Sequence, residues 1–433
     1  MMTSLPTSDQ DSAPLAPLVT RTVSLSPEDG AALLALLPAT SPRDTTSWVR
    51  RGEGLVGWGR AASVTAHGAD RFAALEAWWR SVSSSAVVRD EVDLPGTGPV
   101  AFGSISYAAE SPVGATLVVP SVVIGRRGDQ WWVTTTSTDA LPPSVLPAAV
   151  DDVTAPGEVA FADGSLSPTE WAGAVAEAVT RIQNDELDKV VLARDLDVRT
   201  SEPIDVRWLL SRLAENYEST WVFAVDGLVG ATPEMLVRRE KGLVTSRVLA
   251  GTIRRTGDDE HDLALAASLA RSSKDLEEHE YAVRSVADAL APHCSSMNVP
   301  ESPFVLHLSN VMHLATDVAG VLTDDTTSLA LAASLHPSAA VCGTPTPVAN
   351  ELISELEHMD RGRYAGPVGW MDARGDGEWG IALRCGAVHH DDDHRMSLYA
   401  GCGIVAGSEP ESEVAESDAK LIPMRDALTS PRP

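Results

Sequence analysis

Between Tyr399 and Lys420 the chain reads YAGCGIVAGSEPESEVAESDAK, a short strand punctuated by Gly401, Gly403 and Gly407 that runs straight into a helix start dense with carboxylates. The glycines let backbone approach a neighbour closely. Ser408 to Glu411, with Pro410 in the first turn, reads as a capping box. At helical spacing Glu413, Glu416 and Lys420 project from one side of that helix. A solvated helix with a Glu-to-Lys pair accounts for the helix taken alone. Glycines at its entrance point instead to something held close, and carboxylates would hold a cation.

The 433 residues allow two ordinary domains or one large α+β unit. Against 33 Lys plus Arg stand 61 Asp plus Glu, and a net charge of -28 argues against a nucleic-acid or anionic-membrane surface. An anionic substrate would have to be met by local positive charge or a metal. Cys294, Cys342, Cys385 and Cys402 show no CxxC or framework spacing, which predicts free thiols in a reducing cytoplasm. No secretory leader opens the chain and no apolar run reaches bilayer-spanning length, so the expected location is cytoplasmic, without membrane contact.

Residues 1–22, rich in Ser, Thr and Pro, read as a disordered tail. An N-terminal α+β portion over 23–155 follows, with helices near 27–37 and 70–79 and a strand near 55–66. Strands at 100–107, 116–124 and 131–136 look like an antiparallel meander. Gly54, Gly57 and Gly59 make no dinucleotide fingerprint, because no helix follows them. The proline-rich stretch 141–164 reads as a linker, and a core over 156–433 begins within it.

In that core Ser167, Pro168 and Glu170 form a second capping box, ahead of a stripe of Trp171, Val175, Val179 and Ile182. Lys189 heads the β-branched strand KVVLARDLDV. Apolar surroundings disfavour a lysine's charged form, as a general base requires, although strand-end lysines more often reach into water. Glu234, between Pro233 and an apolar strand, is either held rigidly beside a sheet or a solvated turn residue. Leu249 to Thr252 end a strand in a close-approach turn, and a long helical stretch over 258–290 breaks near Ser272. Its second half buries Leu276, Val283, Val286 and Leu290, which leaves Glu278 pointing to solvent or to a cleft. His313 opens a strand, where a histidine is ordinarily structural. Alternation along a strand at 379–387 puts Arg384 with Ala382 and Gly386, where a buried guanidinium would clamp an anion. The run of His and Asp at 389–394 resembles metal ligands but reads as an exposed hairpin loop.

The order of these motifs, over roughly 165–430, resembles the chorismate-utilising enzymes: Lys189 in KVVLAR, Glu234 in ATPE, LAGT at 249–252, Glu278 in KDLEEHE, HPSAAVCG, RGRYAGPVGW, Arg384 in ALRCG, and AGCGIV with Glu413, Glu416 and Lys420. The resemblance implies an α+β fold of twisted antiparallel sheets flanked by helices. Among members it is similar to the isochorismate synthases of menaquinone and siderophore pathways. Lysine at position 189 is what the water-using members carry. Ala250 stands where aminodeoxychorismate synthases place a nucleophilic lysine. Salicylate synthase, which adds pyruvate elimination, is the alternative; a catalytically silent chorismate binder is a third possibility that the intact acids and lysine disfavour.

Carried onto this chain, the resemblance implies Lys189 as general base toward water at ring C2 and Glu234 as acid toward the C4 hydroxyl. It implies Mg²⁺ held by Glu278 and Glu416, with Glu413 acting through water. Arg384 and Lys420 would anchor substrate carboxylate, His313 would position ring substituents, and the Gly251, Thr252, Gly401 and Gly403 backbones would lie close by. Chorismate is the expected partner, with no obligatory protein partner. The usual HPTP box is His336, Pro337, Ser338, Ala339 here, and Pro423 should kink or end the last helix.

Overall fold

The computed structural model describes residues 16–26, 32–140, 152–307 and 311–429; of Thr252, Lys274 and Glu278 it describes the backbone alone. Among the described residues two sheets, of 13 and 10 strands, carry the fold, with helices packed against them. Every strand pair among the described residues is antiparallel except Val19–Leu25 with Val87–Asp90. Both sheets interleave strands from the two portions of the chain. Thr45–Arg50 pairs with Trp221–Val225 in the larger, and Val100–Ser104 with Pro367–Asp372 in the smaller. The boundary expected near 155 is therefore not a boundary between sheets. No described helix is long and apolar enough to cross a membrane.

The strand Lys189–Thr200 sits near one edge of the larger sheet, paired along most of its length with Arg395–Ile404. Its middle is buried on both faces, which is why it reads as an almost continuous apolar run. The helix Pro168–Gln183 covers it. Ser167 Oγ accepts from the Glu170 N–H while the Glu170 carboxylate accepts from the Ser167 N–H, the capping box the sequence predicts. Trp171, Val175, Ala178 and Ile182 are buried, the three larger side chains each contributing on the order of 1.5–3 kcal/mol. Trp171 also donates from Nε1 to the Ala193 carbonyl at 3.0 Å, which fixes helix to strand.

Several expectations need correction. The tail ends earlier than residue 22, because Val19–Leu25 is a strand whose Thr20 and Thr22 are buried and bonded to Thr136 and Thr134. Hydroxyl pairing lets those threonines occupy core positions that composition alone assigns to a tail. Residues 1–15 lie outside the described residues, as do 27–31 of the helix expected at 27–37; there the chain forms a 3-10 turn at Leu33–Leu36.

The strand expected at 55–66 is two strands, Glu53–Trp58 in the larger sheet and Ala62–Ala66 in the smaller. Likewise 116–124 divides into Ala115–Val119 and Val122–Arg127 in different sheets, so no single meander exists. The break falls at Pro120, which has no N–H to continue a ladder. Of the expected linker, 141–151 lies outside the described residues, and Val159–Asp163 is a strand paired with the far end of the Lys189 strand.

The final helix, Pro410–Thr429, passes through Pro423 without ending. Its second half buries Leu421, Met424 and Leu428 in the core, which holds it in place beyond the proline. The capping box expected at its start is not formed; the Ser408 hydroxyl instead accepts from the Val405 N–H at 3.2 Å.

Candidate active site

A cleft of ≈ 410 Å³ opens where the Lys189 strand, the strand Arg395–Ile404 and the start of the final helix meet Gly251, which lies at a bulge within the strand Leu243–Arg254 and not in the strand-ending turn that the sequence predicts. Lys189, Glu234, Gly251, His313, Arg384, Gly401, Gly403, Glu413, Glu416 and Lys420 all line it. Residues from across 231 positions of sequence thus share one wall. The side chains of Thr252 and Glu278, the remaining two expected there, lie outside the described residues. The backbone of Glu278 belongs to the helix Ser273–Leu290, one residue before His279, whose ring bonds the Ala250 carbonyl and the Thr316 hydroxyl.

Lys189 reaches the cleft across bare backbone, because its aliphatic end lies against Gly403 on the neighbouring strand. Glu234 is gripped at both main-chain groups: its N–H donates to Thr232 Oγ1 at 3.2 Å and its carbonyl accepts from Ile381 N–H at 3.1 Å. Burial pushes its carboxyl up to about 7, against the opposing pull of Lys189, Arg384 and Lys420. Near neutral pH this acid therefore keeps a proton it can give.

His313 pairs with Thr252 across a bulge in which Gly251 takes φ +76°, a conformation open to glycine at little cost. Burial, with Arg384 and Lys420 nearby, lowers its imidazole to about 4, while a hydrogen bond to the Gly251 backbone opposes the shift. The ring is neutral at physiological pH.

Arg384 differs from expectation. The strand at 379–387 is interrupted: Gly377–Ile381 belongs to the smaller sheet, Cys385–Val388 to the larger, and Arg384 sits in the crossover at φ +48°. Alternation cannot place it; a left-handed residue turned into the cleft does. Burial lowers its pKa, and no hydrogen bond or ion pair joins its guanidinium to another described residue. A half-buried fork with no hydrogen-bonded partner among the described residues is suited to a carboxylate.

Lys420 is already engaged. Its Nζ lies 2.6 Å from Glu416 Oε1 and donates to the Gly401 carbonyl at 2.8 Å, so it ties helix to strand at the cleft's rim. Burial and the neighbouring Glu416 push the Glu413 carboxyl up, whereas Lys420 and Arg384 outweigh burial and hold Glu416 below its ordinary value. The ligand atoms of Glu413, Glu416 and Cys402 lie within 4.8 Å of one another. Burial pushes the Cys402 thiol up to about 12, so the carboxylates are the donors there. The run at 389–394 forms the turn between Cys385–Val388 and Arg395–Ile404, with the His390 side chain 76 % exposed.

Sequence reasoning passed over Asp275, Tyr364 and Tyr399, which also line the cleft. The two tyrosines stack at 5.2 Å between ring centroids, and a methyl on Gly401 would come within 3.0 Å of Tyr364 Oη. Tyr364 falls inside the RGRYAG motif, but neither its charge nor its spacing set it apart.

Comparison with known proteins gives concordant results. A protein-family model described as chorismate binding enzyme matches residues 11–429. The chain is similar to the isochorismate synthase DhbC of Bacillus subtilis, 41 % identical over 273 residues that cover 60 % of this chain and 68 % of that protein. It is also similar to the salicylate biosynthesis isochorismate synthase of Pseudomonas aeruginosa, 32 % identical over 400 residues, covering 86 % and 82 %. The solved structure of DhbC from Bacillus anthracis superposes with a TM-score of 0.74 at 32 % identity, covering 91 % of this chain and 98 % of that one.

Proposed function

The chain belongs to the chorismate-binding enzyme family, and on that premise we propose that it is a Mg²⁺-dependent isochorismate synthase. One observation carries the reading: a lysine and a carboxyl group held protonated to about pH 7 line the same cleft. Lys189 takes a proton from water as the water oxygen bonds ring C2. The ring double bonds shift, and Glu234 gives its proton to the C4 hydroxyl, which leaves as water. One water enters and one departs, so the product is an isomer of the substrate. Return of the proton from Lys189 to Glu234 completes the cycle.

Chorismate is a dianion, and a protein of net charge -28 must meet it with local cations. Arg384, unmatched in the cleft, takes one carboxylate as a two-pronged donor. Lys420 adds charge at the rim while holding Glu416 in place. Neutral His313, hydrogen-bonded to the Gly251 backbone, positions a ring hydroxyl, and the Gly251, Gly401 and Gly403 backbones admit the ring closely.

The donor set fits a hard divalent cation: two carboxylates converge at the start of the final helix, beside a thiol that stays protonated. Glu416 would hold Mg²⁺, with Glu413 through water and, by family resemblance, Glu278. When bound, the ion supplies positive charge opposite the ring carboxylate.

Incubating the protein with chorismate and Mg²⁺ and resolving the products chromatographically tests the reading. Isochorismate is expected; salicylate with pyruvate would transfer the assignment to salicylate synthase.

A further inference from the structure

The outer edge of the Lys189 strand is covered in pieces. Gly343–Thr344 pairs with Lys189 and Val190, and Val159–Asp163 pairs with residues 196–200. Between them no strand among the described residues covers this edge, although Lys189 and Val191 form part of the cleft wall. The outward-facing main-chain groups of Val191 and Ala193 are nonetheless all satisfied. Val191 N–H donates to the Cys342 carbonyl at 2.7 Å and Ala193 carbonyl accepts from Trp171. The other two groups are met by side chains: Arg361 Nη2 donates to the Val191 carbonyl at 2.7 Å, and Glu357 Oε1 accepts from the Ala193 N–H at 2.7 Å.

Those two side chains are joined to each other at 2.9 and 2.5 Å, and each is only 2 % exposed. Arg361 Nη1 donates further to the Val341 carbonyl at 2.8 Å, and Val341 also lines the cleft. Beneath the guanidinium, 4.4 Å from its carbon, lies the ring of Tyr107 from the N-terminal portion. Tyr107 is pinned in turn by Asn350 through its hydroxyl and by the Gly362 carbonyl through its N–H, both at 2.8 Å.

A buried ion pair is often no more stabilising than apolar residues of the same volume. Here each partner also answers a main-chain group of one strand, which an apolar pair would leave buried and unsatisfied. We propose that Glu357 and Arg361, seated on Tyr107, are positioning residues that take the place of a missing strand and hold Lys189 where it meets the attacking water. The inference rests on the reaction assigned above. It also gives the N-terminal portion a part in the site through Tyr107.

The test compares wild-type protein with Glu357→Gln and Arg361→Lys in steady-state turnover of chorismate and in amide hydrogen exchange. Gln keeps the size of Glu357 but loses the charge; Lys cannot reach Glu357, Val191 and Val341 together. The proposal expects kcat per folded molecule to fall by about tenfold or more with KM within about threefold. It also expects exchange to quicken at residues 191–193 while the strands of the smaller sheet stay protected. Unchanged kcat, or exchange that quickens throughout the molecule, overturns it. Should both variants fail to fold, Tyr107→Leu removes the ring under Arg361 together with the hydroxyl bond to Asn350 and leaves both charged partners in place, and a smaller loss of kcat with the same local exchange pattern is expected; its absence is equally fatal. Hydrogen exchange needs no turnover, so a wild-type protein that makes no isochorismate would defeat the assigned reaction while the exchange result still judges the strand.

Discussion

A methyl group on Gly403 would stand 3.0 Å from Cε and 3.5 Å from Nζ of Lys189, so the bare backbone of one strand is the surface on which its neighbour's lysine rests. The atoms in the way are the far end of a flexible side chain, so a substitution there moves the lysine and spares the sheet. Gly403→Ala should fold as the wild type does and lose about 10–100-fold in kcat, the penalty of an ångström-scale displacement of a reacting group. Thermal melting with steady-state kinetics checks it; full activity would remove Lys189 from the chemistry.

The Glu234 carboxyl, raised by burial from an ordinary 4.5 to about 7, sets a pH dependence with a definite sign. The protonated form is the working acid, so kcat should fall as pH rises through about 7, and Glu234→Gln should lose both that limb and most of the turnover.

The same shift costs stability. Between the two values the folded state holds a proton that the unfolded chain has released, so stability declines as pH rises across that window. Glu234→Gln should then be more stable than wild type at about pH 8, by about 1–3 kcal/mol, and no more stable at about pH 4. Denaturant titrations at both pH values measure this directly.

Arg384 should act on binding. A lysine in its place keeps the charge but loses the planar fork, so Arg384→Lys should raise KM for chorismate by about tenfold or more with a smaller effect on kcat. A drop confined to kcat would place Arg384 at the reacting atoms instead.

Glu416 joins the proposed cation site to Lys420 at 2.6 Å. Glu416→Gln should raise the Mg²⁺ concentration needed for half-maximal activity by about 10–100-fold, with partial recovery at high Mg²⁺. Titration calorimetry of Mg²⁺ into the protein reads the same loss without turnover, and unaltered Mg²⁺ binding would move the ion elsewhere.

Much of this site was legible in the chain because its parts obey local periodicities. Glu413, Glu416 and Lys420 are one face of a helix, and Lys189 heads a strand that alternation and β-branching mark plainly. What stayed hidden depends on where the chain changes sheets. Nothing local announces that the strands around Pro120 and Arg384 end and restart in another sheet, and so the position of Arg384 could not be reached by alternation. Asp275 and Tyr399 were hidden for the same reason, since only the tertiary fold turns them into the cleft. Thr20 and Thr22 were misjudged because their burial depends on hydroxyl partners more than a hundred residues away.

The central claim is that water attacks ring C2 while the C4 hydroxyl departs. Running the reaction in water labelled with heavy oxygen and analysing the product by mass spectrometry and NMR tests it most directly. The account predicts isochorismate carrying one labelled oxygen, at the C2 hydroxyl. Isochorismate without label would mean that the hydroxyl migrates within the substrate, and the roles given to Lys189 and Glu234 would fall with it.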